Sequence, residues 1–202
     1  MVGKIGADAT LLERVFGPTL ERWGWLSFGG GNLPYEVFGK GFFLVYLLML
    51  PAARTAIDRL VEANANSVAR ITALLIYRVL WVAVAADFVT YWGMSVPGSV
   101  GETLWVTSFM IELLALAALL LSTAIYGIAA ARAGYVAWPI GATLTGSVIA
   151  VVPTLLFVTA YIPNGVVLPI SAAWAILAVW MSMEACSTTG LQTFPPVKAE
   201  SR

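Results

Sequence analysis

The sequence predicts an all-α integral membrane protein: a compact antiparallel bundle of five transmembrane helices, preceded by a short amphipathic segment. Hydrophobic residues make up 60% of the 202-residue chain and charged residues only 11%, whereas soluble proteins average about 25% charged residues. Five apolar stretches each approach the roughly 20 residues that a helix needs to cross a hydrocarbon layer of about 30 Å. These stretches are too long for barrel strands, which cross in about 10 residues.

Residues 1–34 are less apolar than the rest and are predicted to lie outside the cytoplasm, as two short amphipathic turns on the membrane surface. Pro18 separates the two turns, because proline interrupts a helix. The alternative for this segment is a mobile tail. A glycine-rich joint at residues 28–34 leads into the first span. The apolar residues that define the turns recur at roughly helical spacing: Leu12, Val15, Phe16, Leu20 and Trp23.

The five predicted spans occupy residues 35–187 and alternate in direction. The connections after the second, third and fourth spans are short, and short connections are typical of antiparallel neighbours in a bundle. Residues 188–202 are predicted to form a cytoplasmic tail. In order, the spans run from Tyr35 to Ala53, from about Ile71 to Trp92, from Leu104 to about Ala130, from about Tyr135 to Tyr161 and from about Val166 to Cys186.

Basic residues set the predicted orientation in the membrane. The loop after the first span holds Arg54 and Arg59, and the third loop holds Arg132. Both loops fall on the side of the C-terminal tail, and Lys and Arg accumulate on the cytoplasmic side of membrane proteins. We therefore predict a protein of the bacterial plasma membrane with its N-terminus outside and its C-terminus in the cytoplasm. Lys40 and other N-terminal basic residues oppose this count.

The stretch Ser67–Gly93 is predicted to be the central helix, because it carries Arg78 and Asp87 inside an apolar run. A charge in hydrocarbon costs at least ~3 kcal/mol, so each of these side chains needs a partner or water. They are nine positions apart, which places them ~180° apart around a helix, and they should therefore face different neighbours. For Arg78 the predicted partner is Glu184 of the fifth span, in a structural ion pair.

Four polar residues are predicted to meet in the outer third of the bundle. At 1.5 Å of rise per residue, Asp87 and Lys40 lie ~8 Å from the outer ends of their spans and Glu112 lies ~12 Å from its own. Thr154 of the fourth span reaches a similar depth. This cluster is a candidate site for proton handling or for a cationic small molecule. The alternatives are a structural ion pair and a Lys40 that extends to the surface.

The fourth span carries a stripe of small and hydroxyl-bearing residues. Such a stripe predicts close packing of two helices, because small residues let their backbones approach. A polar lining for a solute path is the alternative. The stripe consists of Gly141, Thr145, Gly146 and Ala150, with Thr143, Ser147 and Thr154 alongside.

The residue types that are missing or rare exclude several kinds of site. The chain has no histidine, which removes the commonest metal and haem ligand and any Ser–His or Cys–His pair. Cys186 is the only cysteine, so an intrachain disulfide and a multi-cysteine metal site are excluded. Phosphate-loop and dinucleotide motifs are absent, as is a basic aromatic patch for nucleic acid. We therefore expect no metal, no cofactor and no nucleic-acid partner, and we assign no catalytic residue.

These observations predict a multi-pass membrane protein without enzymatic activity that serves as a binding or accessory subunit in a membrane assembly. Its expected partners are the lipid bilayer and either another membrane protein or further copies of itself. The first alternative is a small transporter or proton-coupled carrier that uses Lys40, Asp87 and Glu112. The second is a membrane enzyme in which two carboxyl groups form a catalytic dyad.

Overall fold

The structure is a computed structural model that describes residues 41–65, 67–93, 96, 98–157 and 162–191. These residues form five α-helices and no strand. The predicted surface segment 1–34, the candidate residue Lys40 and residues 192–202 lie outside the described part of the chain. In chain order the helices are α1 (Phe43–Glu62), α2 (Ser67–Gly93), α3 (Ser99–Arg132), α4 (Trp138–Phe157) and α5 (Ile162–Leu191).

Four of the five helices, α2 to α5, are long and apolar enough to cross a membrane, and they indicate a membrane protein. Helix α1 has a mixed composition. Its first half is apolar up to Ala53, whereas its second half carries Arg54, Asp58, Arg59 and Glu62. The outer surface of the bundle is rich in large apolar side chains, such as Leu48 on α1 and Ile149 on α4, which are 78% and 77% exposed.

The helices form a ring in chain order, because each helix packs against the next and α1 closes the ring by packing against α5. Helix α3 also contacts α5 across the ring. The prediction of a central second span was wrong, since α2 packs extensively only against α1 and α3. The physical reason is that only one face of α2 turns inward: Asp87 is buried on that face and Arg78 is exposed on the opposite one.

Helix α1 ends nine residues later than the predicted first span, so Arg54 and Arg59 lie in a helix and not in a loop. Residues 54–62 contain no glycine or proline, and Ala56, Ile57 and Leu60 are buried at helical spacing. The helix ends where Asn64 adopts a left-handed conformation (φ 47°) and the Ala65 N–H bonds the Leu60 carbonyl. This is the usual bonding of a helix C-terminus.

Three helix starts precede the predicted spans. Helix α2 begins at Ser67, four residues before the predicted start at about Ile71. Helix α3 begins at Ser99, five residues before Leu104, and α5 begins at Ile162, four residues before Val166. The predicted loop at residues 162–165 is therefore the first turn of α5. Pro163 lies in that turn, where a proline costs little because the first backbone N–H groups of a helix have no intrahelical partner.

Helices α3 and α4 cross closely where Gly127 meets Gly141. A Cβ atom on Gly127 would lie 2.7 Å from the Gly141 carbonyl oxygen, and one on Gly141 would lie 2.5 Å from the Ala131 Cβ. The Thr145 hydroxyl donates to the Ala124 carbonyl across the same contact, at 3.3 Å. The predicted close packing of the fourth span is confirmed here. Gly146 does not take part, since a Cβ atom on it would meet nothing within 4 Å.

Candidate functional site

Asp87 lies on α2, and its side chain faces the interior of the bundle. Its side chain is 0% exposed, whereas Arg78 is exposed on the outer face of the same helix. The nine-residue separation corresponds to half a turn of the helical wheel, so burial of one of these side chains leaves the other at the outer surface.

Glu112 meets Asp87 from the neighbouring helix α3 and is also 0% exposed. The two carboxyl groups interact electrostatically and are within reach of a hydrogen bond that one shared proton would complete. The Tyr46 hydroxyl of α1, likewise 0% exposed, donates to Glu112 Oε1 at 3.4 Å. Two of the four predicted cluster residues therefore come together, and a tyrosine joins them from a third helix.

Three of the four carboxyl oxygens in this pair have no hydrogen-bond partner among the described residues: both oxygens of Asp87 and Oε2 of Glu112. The backbone N–H of Phe43 interacts electrostatically with Asp87, but no described Lys or Arg forms an ion pair with either carboxyl group. A buried carboxylate without a partner is strongly unfavourable. The two carboxyl groups can therefore share one proton, which compensates one of their two negative charges.

A pair of hydroxyl groups extends the polar layer by one helical turn. Thr90 Oγ1 donates to Ser108 Oγ at 3.1 Å across the α2–α3 interface, and both side chains are buried. Thr90 follows Asp87 by three positions and Ser108 precedes Glu112 by four. Each hydroxyl therefore shares a helix face with one of the carboxyl groups.

Sequence reasoning missed Tyr46, Thr90 and Ser108 as members of this layer. For the two hydroxyl residues a signal was present, because polar residues three or four positions from an embedded charge lie on its side of the helix. For Tyr46 the signal was weaker. A tyrosine inside an apolar run is equally consistent with packing, and only the register of α1 against α3 selects Glu112 as its acceptor.

Thr154 does not join the carboxyl groups. Its hydroxyl donates to the Ala150 carbonyl of its own helix at 2.7 Å. Helix α4 packs against α3 and α5 and has no extensive contact with α2. The hydroxyl is therefore satisfied next to Pro153, in the turn where the proline removes one backbone donor.

Glu184 pairs with Arg59 rather than with the predicted Arg78. Arg59 Nη1 lies 2.8 Å from Glu184 Oε2, and Arg59 Nη2 donates to the Met181 carbonyl at 2.6 Å. This correction follows from the length of α1, whose last turns bring Arg59 against α5. The side chains of Arg59 and Glu184 are 33% and 48% exposed. Their ion pair joins α1 to α5 at the end of the bundle opposite the carboxyl site.

Two open grooves lie on the outer surface. One, of about 380 Å³, separates α1 from α5 and is lined by Leu48 and Ala175 among others. The other, of about 370 Å³, separates α2 from α3 and includes Ala86 and Ser108. Neither groove is lined by Asp87 or Glu112. The described residues include no group of three acidic or cysteine side chains that could hold a metal ion.

The ends of the bundle differ in charge. One half contains the C-terminal halves of α1, α3 and α5 and the start of α2, and it carries most of the described charges. The start of α3, at the opposite end, carries Glu102. The described members of the charged half are Arg54, Asp58, Arg59, Glu62, Arg70, Arg132 and Glu184.

Comparison of the chain with protein-family models, curated proteins and solved structures finds no match.

Proposed function

We propose that the chain is an integral membrane protein of five spans that acts as a non-enzymatic binding subunit in a membrane assembly. Helices α2 to α5 supply four spans, and we assign the fifth to the span predicted from the sequence up to Ala53, the described part of which belongs to α1. The four arginines in the charged half of the bundle support a cytoplasmic location for that half, since basic residues accumulate there. The N-terminus is then outside and the C-terminus in the cytoplasm of a bacterial cell.

The observation that carries this proposal is the closure of the polar site. Asp87, Glu112 and Tyr46 are each 0% exposed, although together they are the most polar cluster in the described bundle. A carrier exposes its binding groups to a cavity, and ligand sites are concave pockets lined by the groups that bind. A closed layer that joins α1, α2 and α3 suits a structural role: it fixes the rotation and height of three helices.

A proton-coupled carrier is the second candidate, favoured by one observation. Three carboxyl oxygens are buried without a hydrogen-bond partner among the described residues, so a proton or a small cation has unused ligands there. Intramembrane carboxyl groups that lack a permanent partner are typical of proton pathways. Asp87 and Glu112 are both 0% exposed within the described bundle, which does not favour contact with a substrate, and we therefore do not propose the enzymatic dyad.

Two substitutions at Glu112 separate the two roles. Glu112→Gln keeps an acceptor for the Tyr46 hydroxyl and adds a donor toward Asp87, whereas Glu112→Leu removes both. A structural role predicts that the Gln variant stays within about 1 kcal/mol of the parent protein. The Leu variant should lose about 1–3 kcal/mol, because it leaves buried polar groups unpaired. A carrier role predicts loss of flux in both variants.

The measurements are proton and cation flux into liposomes that contain the purified protein, and equilibrium unfolding in mixed micelles. Glu102→Gln is the matched control, because Glu102 is an exposed glutamate on the same helix as Glu112. We expect no flux above protein-free liposomes for any of these proteins, and a stability order in which only Glu112→Leu is lowered. Flux that disappears in Glu112→Gln while its stability is retained contradicts the structural proposal and establishes the carrier.

A further inference from the structure

Arg78 is exposed in the middle of an apolar surface. It lies 11 residues after the start of α2 and 15 before its end, and it makes no hydrogen bond or ion pair with the described residues. Its neighbours on the outer face of α2 are apolar and exposed: Ile71, Leu74, Leu75, Trp81 and Val82. An arginine in such surroundings needs an acidic partner or access to the membrane surface.

Access to the membrane surface is poor on this face. An arginine side chain on a helix leans toward the N-terminus of that helix, which for Arg78 is the direction of Ile71. The exposed apolar surface continues to Ile71, seven residues or ~10 Å away at 1.5 Å per residue. A partner carboxylate at the height of Arg78 therefore explains its position better than a lipid headgroup does.

The chain itself offers an exposed carboxylate at nearly that height. The rings of Phe43 and Phe88 contact each other at 5.5 Å and fix the antiparallel register of α1 against α2. Asp58 is 15 residues from Phe43, so it lies level with position 73 of α2. That is five residues, or ~8 Å, from Arg78. The two side chains lean toward each other along the helix axes, because α1 and α2 run in opposite directions.

Asp58 has capacity for a second cation. Its side chain is 49% exposed, and its ion pair with Arg54 of the same helix uses only Oδ2, at 3.1 Å from the Arg54 Nε. Oδ1 has no hydrogen-bond partner among the described residues. A carboxylate accepts several donors at once, so a guanidinium group from outside the chain can bind the second oxygen.

We propose that the outer faces of α1 and α2 form the interface of a homodimer, in which Arg78 of each copy pairs with Asp58 of the other copy. A two-fold axis along the membrane normal keeps equal heights together and brings α1 of one copy against α2 of the second. The same surface of each copy then forms the interface, and the Arg78–Asp58 ion pair occurs twice in it, as an isologous interface requires. Leu44 and Leu48, which are exposed on α1, supply apolar contact. This proposal rests on the proposed role in a membrane assembly, and the partner in that assembly is a second copy of the chain.

Charge reversal tests the pairing. Each single variant, Arg78→Glu or Asp58→Arg, places like charges across the interface, and we expect at least a tenfold loss of dimer affinity. The double variant Arg78→Glu/Asp58→Arg restores opposite charges and should recover most of the affinity. Arg132→Glu is the matched control: it makes the same charge change on an exposed arginine at the end of α3, outside the proposed interface, and should leave the dimer unchanged.

The readout is the number of copies per particle in liposomes, counted by single-molecule photobleaching over a series of protein-to-lipid ratios. Cys186 is exposed and is the only cysteine, so it serves as the site for one fluorophore. Arg78 and Asp58 are both exposed, and unchanged tryptophan fluorescence on unfolding in micelles will confirm that the variants are folded.

Two results overturn the inference. One is a parent protein that stays monomeric at every ratio, which means that lipid or an unrelated helix covers Arg78. The other is a dimer that persists in both single variants, which places the interface elsewhere. Neither result bears on the flux measurement in the same liposomes. The failure of the dimer and the failure of the non-enzymatic subunit proposal are therefore distinguishable.

Discussion

Substitution of Gly127 by alanine tests the close crossing of α3 and α4. The added Cβ atom would lie 2.7 Å from the Gly141 carbonyl oxygen, 2.7 Å from Thr145 Oγ1 and 2.9 Å from the Leu144 Cβ. Two of these atoms cannot turn away by a rotamer change, because one is backbone and one is a Cβ. The helices must separate, and overpacking of this kind typically costs about 1–3 kcal/mol.

Gly146→Ala is the matched control for this prediction. Gly146 lies in the interior of α4, and a Cβ atom on it would meet nothing within 4 Å. Both substitutions gain the same helix propensity, about 1 kcal/mol, so the difference between them isolates the steric cost. We expect Gly127→Ala to be less stable than Gly146→Ala by about 2 kcal/mol, or roughly 30-fold in the unfolding equilibrium constant.

Equilibrium unfolding in mixed micelles, followed by tryptophan fluorescence, measures this difference. Trp174 is a suitable reporter, because it is buried and its indole N–H donates to Thr123 of α3. Gly141→Ala should behave like Gly127→Ala, and the double variant should lose less than the sum, since one separation of the helices relieves both contacts. Equal stability of Gly127→Ala and Gly146→Ala would refute the close crossing.

Three further predictions concern side-chain contacts and use the same unfolding measurement. Thr123→Val should cost about 1–3 kcal/mol because it leaves the buried Trp174 N–H without its acceptor, and Trp174→Phe should cost at least as much, because it leaves the buried Thr123 hydroxyl without its donor and shrinks a core side chain. Arg59→Met should destabilise more than Glu184→Gln, since Arg59 also bonds the Met181 carbonyl, and their coupling should stay below about 1 kcal/mol for a half-exposed pair. Tyr46→Phe should cost below about 1 kcal/mol, because its hydrogen bond is long at 3.4 Å and interhelical hydrogen bonds in membranes average ~0.6 kcal/mol.

The apolar helices were predictable from the sequence because their signal is local. Helices α2 to α5 follow from hydropathy and length alone, within about five residues at each boundary. Where α1, α2, α3 and α5 extend beyond their predicted bounds, the helix continues into more polar sequence. Residues 54–62 alternate charged residues with Ala56, Ile57 and Leu60. A loop and an amphipathic helix are both compatible with such a segment until its apolar face has a neighbour to pack against.

Only part of the candidate site was predictable, because the sequence gives the depth of each residue along the membrane normal but not which helices are neighbours. Asp87 and Glu112 were matched by depth and by adjacent, antiparallel helices, and the structure brings them together. Depth also matched Thr154, but α4 does not pack extensively against α2. Which helices touch in a ring of five depends on the rotation of every helix, and one sequence does not determine those rotations.

Arg78 and Asp87 together constrain the rotation of α2 more than either does alone. If α2 turned by half a turn, Asp87 would face the apolar exterior and Arg78 would enter the core near the height of Leu119 of α3, which is 0% exposed. Each change would bury or expose a charge in apolar surroundings at a cost of several kcal/mol. The low amphipathicity of the helix provides little other preference, since its two faces are almost equally apolar. The embedded charges therefore select the face that meets α3, and the same selection leaves Arg78 on the surface where a second copy can pair with it.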